Sequence, residues 1–321
     1  MPGLKILYRS FSTAFGDRLV WKLDANRLRI LCYHGLCDDR LVKEAWIPGY
    51  FVGASAFEEQ LRYLRCHAQV LPLREAVERL RDGSLPPRSV SLTFDDGYAN
   101  NLEAAYPLLR KYGMPATIFL ATSYVESGEL FPFLKLKLIQ LHRQAASGAT
   151  KLVDYKSAPL DEVEQSAVPW WGQVKESLTD DHFRTLRPLT IEEIRHADPA
   201  LIEFGAHSHT HCILKNESDQ RRREEIETSV SKVTQWTGRP SRLFSYPNGQ
   251  RGDFGEVDRQ ALRAVGVQAA VTGIGGANDS RTEVLGLRRY PVSLYHDDAG
   301  FRAEVTGFRS AVLAATGRRT S

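Results

Sequence analysis

The strongest constraint on the fold of this chain is a rhythm. From about residue 28 onward, short apolar runs closed by turn residues alternate with longer stretches of helical period. Short apolar runs read as strands buried on both faces, and strands separated by helix-length segments favour a parallel α/β sheet or barrel. The runs at 28–33, 90–94, 116–121, 201–206, 243–246 and 267–272 are the expected strands. Ser55 followed by Glu58 reads as a capping box opening a helix over 57–66, and Thr190 with Glu193 opens a second. Gly83, Gly113, Gly238 and Gly266 stand where helices should stop.

The interval 124–188 breaks the rhythm and reads as an insertion; its Trp170–Trp171 pair fits packed core better than a sugar-stacking wall. Residues 1–27 are then an N-terminal extension, 28–295 the α/β unit, and 296–321 a C-terminal helix over 299–315 with a fraying tail.

Charge and cysteine usage exclude several classes. Lys plus Arg number 42 against 39 Asp plus Glu, a net +3. The densest basic run, Arg221 to Arg223, is followed directly by Glu224, Glu225 and Glu227, so no nucleic-acid footprint stands out. Four cysteines, Cys32, Cys37, Cys66 and Cys212, form no C-x-x-C pair, and reduced thiols are expected. No apolar stretch approaches the ~20 residues of a membrane span. The first residues carry Lys5, Arg9, Asp17, Arg18 and Lys22 and resemble no signal peptide, so a cytoplasmic protein is expected.

Two clusters carry the chemistry. In Thr93-Phe94-Asp95-Asp96-Gly97 a strand runs into adjacent carboxylates. Neighbouring strand residues face opposite ways, so both aspartates serve one site only if the backbone turns there, as Gly97 permits. The other reading of the segment is an Asp-Gly turn with a helix cap. The second cluster, His207-Ser208-His209-Thr210-His211, directly follows the strand expected at 201–206. His207 and His211 can face one cation if the turn is helical; Ser208 in place of Glu argues against the zinc-protease helix motif. A chance His-rich loop is the alternative for this cluster taken alone. Together the segments offer a ligand set of Asp96, His207 and His211 with an open position for water. Asp95 is then left to accept the water's proton, and His209 is read as structural or solvent-facing.

These paired motifs resemble the polysaccharide deacetylases, the NodB-homology family also called carbohydrate esterase family 4, over about residues 28–295. The resemblance implies a distorted (β/α)7 barrel and divalent-metal hydrolysis of N-acetyl groups on a carbohydrate. It implies Asp95 as the base and Asp96, His207 and His211 as ligands. The metal is read as zinc, with cobalt, nickel or iron also suited to the donor set. The segment Leu31-Cys32-Tyr33-His34-Gly35 is similar to the Tyr-His segment of the branch that includes deacetylases of biofilm poly-N-acetylglucosamine. That likeness implies His34 as the acid that protonates the departing amine.

Departures from the family pattern accompany the match. Ser245-Tyr246-Pro247-Asn248-Gly249 stands where many members have Arg-Pro-Pro-Tyr-Gly, so the arginine that steadies the catalytic aspartate is missing there. Arg289 is the candidate substitute, with a surface charge as its other reading. By the same alignment Tyr246, Pro247 and Asn248 are expected to touch substrate. Two other functions stay open: a metal amidase or esterase acting on a small ureide, imide or O-acetyl ester, and a glycan-binding relative without catalysis.

Overall fold

The computed structural model describes residues 21, 26–145 and 152–308. Its strands are β1 (Arg29–Tyr33), β2 (Leu36–Cys37), β3 (Val52–Gly53), β4 (Gln69–Val70), β5 (Ser89–Phe94), β6 (Ala116–Leu120), β7 (Ile202–Ala206), β8 (Leu243–Ser245), β9 (Ala269–Val271) and β10 (Tyr290–Pro291). Every expected strand is present within a residue or two at each end. β2 and β3 pair separately, and the other eight strands form one sheet in the order β10-β1-β5-β6-β7-β8-β9, with β4 pairing β5. All its ladders are parallel. Residues 287–291 tie the last strand to the first: Leu287 bridges Val271, and Tyr290 pairs with Leu31. The sheet therefore curls into the distorted (β/α)7 barrel that the resemblance implied.

Alternation along the strands sorts the apolar side chains. Leu31, Tyr33, Leu92, Phe94, Ile118 and Leu120 belong to the main core cluster. Leu28, Ile30, Phe119, Leu243 and Val271 gather separately with Leu73, Ala76, Val77 and Leu80. Gly205 is required by this packing, since a Cβ there would lie 2.6 Å from the Phe119 ring. Burying each such large side chain contributes about 1.5–3 kcal/mol.

The helices are α1 (Ala54–His67), α2 (Leu73–Asp82), α3 (Tyr106–Tyr112), α4 (Thr122–Ser127), α5 (Pro132–Ala145), α6 (Leu160–Glu176), α7 (Asp180–Leu186), α8 (Ile191–His196), α9 (Asp219–Thr237), α10 (Glu256–Ala264) and α11 (Asp298–Val305). Thr190 caps α8 in the expected box with Glu193. The first box is corrected: α1 starts at Ala54, and Ser55 lies inside its first turn with its hydroxyl donating to Asp39.

The irregular interval is mostly helical, with α4 to α7 and the loop between α4 and α5 packing Leu130, Phe131, Leu134, Ile139 and Val174 against Phe51 and Tyr98. Trp170 and Trp171 pack on that cluster, and Arg143 lies 3.6 Å over the Trp170 ring. α11 is shorter than the 299–315 helix expected and inserts Phe301 and Val305 into the main core; the remainder of that expectation, from 309 on, lies outside the described residues. No helix among the described residues is long and apolar enough to cross a membrane. The four cysteines are free thiols.

Candidate active site

In a parallel barrel the carboxyl ends of the strands converge on one face, and loops leaving them share a site. β5 delivers Asp95 and Asp96 there, β7 delivers His207 to His211, and β1 ends at Tyr33, directly before His34. Directly after β5, Gly97 N donates to Asp95 O at 2.9 Å, closing a three-residue turn with Asp96 at φ 72°. Both carboxylates thereby line one cleft. Gly97 also holds positive φ, and a Cβ on it would meet Leu120 at 2.7 Å. Ser208 and His211 adopt φ 58° as well. Such left-handed conformations cost about 1–2 kcal/mol per residue, so the surrounding contacts hold strain where the side chains must converge.

His207 Nε2 and His211 Nε2 lie 3.1 Å apart, and Asp96 Oδ1 is 3.5 and 3.0 Å from them. All three residues are buried. His207 Nδ1 donates to the Ser245 carbonyl at 2.7 Å, which leaves its Nε2 lone pair facing inward. His211 Nδ1 lies 2.7 Å from the Tyr155 hydroxyl, which donates to the His211 carbonyl, so that ring is fixed the same way. Outer partners of this kind orient metal-binding imidazoles. Donors sharing one tetrahedral zinc at about 2.0–2.1 Å stand roughly 3.3 Å apart. The spacing, donor types and tautomers therefore fit a divalent metal.

Asp95 stands beside this cluster and is gripped by a different group. Arg289 donates in parallel to its two oxygens at 2.7 and 2.6 Å, and also to Thr272 O, Thr93 Oγ1 and Ser245 Oγ. Burial would raise the Asp95 carboxyl; the Arg289 guanidinium, then His207, outweigh it and hold it well below the usual carboxylate range. The small Ser245 leaves room for a guanidinium arriving from β10's side of the barrel. The surface reading of Arg289 is thus corrected: it is 2% exposed.

His34 also lines the cleft, with Nδ1 buried and without a hydrogen-bond partner. Burial lowers its pKa against the opposing pull of Asp96 and Asp95. Of the segment expected to touch substrate, Asn248 alone lines the cleft. Tyr246 and Pro247 are corrected: Tyr246 is buried, stacks 4.0 Å from Phe254 and donates to Leu285 O at 2.9 Å, while Pro247 is buried away from the cleft. His209 does not line the cleft, and its Nδ1 lies 2.9 Å from Thr122 Oγ1.

Four contributors escaped the sequence reading. Tyr155 comes from the interval 124–188, as do Phe133 and Lys156, and all three line the same cleft of about 400 Å³. Glu225 on α9 is buried and accepts from the backbone N–H groups of His209 and Thr210 and from the Thr210 hydroxyl, at 2.7–2.8 Å. It clamps the loop between the two histidines. Glu225→Ala is expected to weaken metal affinity by about 10–100-fold, as loss of outer-shell support does, with Glu225→Gln recovering part of it. Isothermal titration with zinc checks this; an unchanged affinity in the alanine variant would separate Glu225 from the site.

The fold and these motifs together are those of the polysaccharide deacetylase family. Residues 82–270, more than half of the chain, match the polysaccharide deacetylase family, and the chain belongs to it. A poly-beta-1,6-N-acetyl-D-glucosamine N-deacetylase of Staphylococcus aureus is 42% identical over 80 residues, 25% of this chain and 28% of that protein. Its Staphylococcus epidermidis namesake is 34% identical over 112 residues, 35% and 38% of the two chains. The matched segments span well under half the length of these relatives.

Among solved structures, the Streptococcus pyogenes deacetylase PplD in complex with acetate aligns over 87% of this chain and 98% of its own, with TM-score 0.62 and 18% identity. IcaB from Ammonifex degensii aligns over 87% and 97%, with TM-score 0.58 and 18% identity. At such identity these likenesses speak for the shared fold.

Proposed function

We propose that this protein removes N-acetyl groups from a glycan containing N-acetylhexosamine units by metal-dependent hydrolysis. One observation carries the reading: an aspartate-dihistidine cluster and a separate, arginine-held carboxylate share a cleft at the mouth of the barrel. A divalent metal held by Asp96, His207 and His211, zinc in this reading, would supply the Lewis acidity that makes water nucleophilic near neutral pH.

Asp95, ionised and fixed by Arg289, accepts the proton of the attacking water. The grip of Arg289 lowers basicity but keeps the carboxylate charged and aimed. His34, just past the end of the adjacent strand β1, donates the proton that the departing nitrogen needs. Tyr50, Phe133 and Tyr155 offer ring faces to sugar, and Asn248, Gln250 and Lys156 offer polar groups to its hydroxyls. The names of the Staphylococcus relatives support an N-acetylglucosamine polymer as the substrate class.

The test is to incubate the zinc-loaded protein with N-acetylglucosamine oligomers, O-acetylated sugars and small ureides, and to follow products by NMR. Acetate and free amine released in equal amounts from the oligomers are expected. Turnover confined to esters or ureides would replace this reading.

Arg289→Lys provides a second check. A lysine keeps the charge but not the two-pronged geometry, and misplacing a reacting group by about 1 Å can cost ~10²-fold. The expected result is a kcat fall of that order with little change in KM; a KM effect alone would place Arg289 in substrate binding instead. Arg289→Ala is a poorer probe, because an unpaired buried carboxylate costs about 3–5 kcal/mol.

A further inference from the structure

Cys32 near the end of β1 and His34, the first residue past it, both line the cleft, while Tyr33 between them faces the core. One donor atom from each of Cys32, His34 and Asp95 lies within 4.8 Å of the other two. Cys32 is buried and free of any disulfide, and its Sγ stands 3.6 Å from Asp95 Oδ2. A sulfur and an oxygen bound to one tetrahedral zinc, at about 2.3 and 2.0 Å, would be roughly 3.5 Å apart. His34 Nδ1 is buried with no hydrogen-bond partner, an orphan that carries a desolvation cost until something occupies it.

We propose that Cys32, His34 and Asp95 form a second, weaker site for a thiophilic divalent cation such as zinc, and that filling it inhibits the enzyme. Binding breaks the Cys32 S–H bond, releases that proton to the buffer and forms a sulfur-metal bond; the thiolate and Asp95 then offset most of the combined positive charge of the cation and Arg289. The site is weaker than the Asp96-His207-His211 cluster for two reasons visible in the geometry. Both Asp95 oxygens already accept from Arg289, and the thiol must lose its proton. A thiolate donor selects zinc or another soft cation over magnesium or calcium. The inhibitory consequence rests on the proposed deacetylase reading, since a cation there would engage both Asp95 and His34; the site itself does not.

The experiment is a cobalt titration of the chelator-treated full chain, read in the near ultraviolet. The first cluster has only nitrogen and oxygen donors, so no thiolate-to-cobalt charge-transfer band should accompany the first equivalent. The band should grow with the second equivalent, persist in Cys66→Ser, which alters an exposed thiol, and vanish in Cys32→Ser. X-ray absorption of the unmutated protein needs no variant: a sulfur scatterer at about 2.3 Å should appear only beyond one equivalent of zinc.

No thiolate band or sulfur scatterer at any loading would overturn the second site. So would a band undiminished in Cys32→Ser, or one complete at the first equivalent. These readouts need no turnover, so their failure is separable from failure of the deacetylase reading. In an activity assay, excess zinc should inhibit the parent, and the concentration for half inhibition should rise by at least about tenfold in Cys32→Ser, since loss of even an outer partner of a ligand costs that much. Equal sensitivity would remove the inhibitory role.

Discussion

Asp95→Asn and the parent should each bind one metal ion per chain, and the variant should lose roughly 10²–10⁴-fold in acetate release, the range a positioned general base supplies. The amide is nearly the same size as the carboxylate, so the cavity is preserved. It cannot take a proton from water, and its NH2 group opposes one prong of the Arg289 fork, whose contacts at 2.6 and 2.7 Å need an acceptor at each oxygen. Because Asp95 lies outside the Asp96-His207-His211 cluster, metal content should not follow activity downward. Parallel metal analysis and kinetics on the folded variant decide the matter: a variant as active as the parent removes Asp95 from the base role, and one that loses its metal makes Asp95 a ligand.

His207→Ala is the complementary experiment, and there metal content should fall first. The substitution removes one of three donors and the link from its Nδ1 to the Ser245 carbonyl. Bound metal is expected to drop from one per chain toward none after dialysis, with acetate release lost alongside. Thermal stability gives a second measure. A ligand that binds only the folded state stabilises it by about 2.7 kcal/mol at 100 times its dissociation constant. Zinc should therefore raise the parent's Tm, and its effect on His207→Ala should be much smaller. Unchanged metal content in that variant would refute the ligand assignment.

The strands were legible in the sequence because parallel strands covered on both faces are continuously apolar; β5 and β6 are buried at every position. The two chemical clusters were legible because each sits at the end of such a strand, so that finding the strand found the barrel mouth. The two-residue strands β2, β3, β4 and β10 carry no period to read. Arg289 was visible only as a candidate, since its partner Asp95 is 194 positions away and nothing local marks the approach.

Tyr155 and Glu225 left no trace at all. One is a lone aromatic in a stretch without rhythm, the other a single carboxylate in a charged helix whose burial appears only when the His loop packs on it. Tyr246 was misjudged because a resemblance fixes where a loop runs, not which way its ring turns; the stack on Phe254 decides that.

In the proposed reaction one cation on Asp96, His207 and His211 and a proton acceptor at Asp95 act together. The most direct measurement is reconstitution: chelator-stripped protein receives one equivalent of zinc, and acetate release from N-acetylglucosamine oligomers is followed for the parent and for Asp95→Asn. The expected result is no turnover in stripped protein, full turnover in the reloaded parent, and almost none in the reloaded variant at equal metal content. Stripped protein as active as reloaded protein would contradict the account.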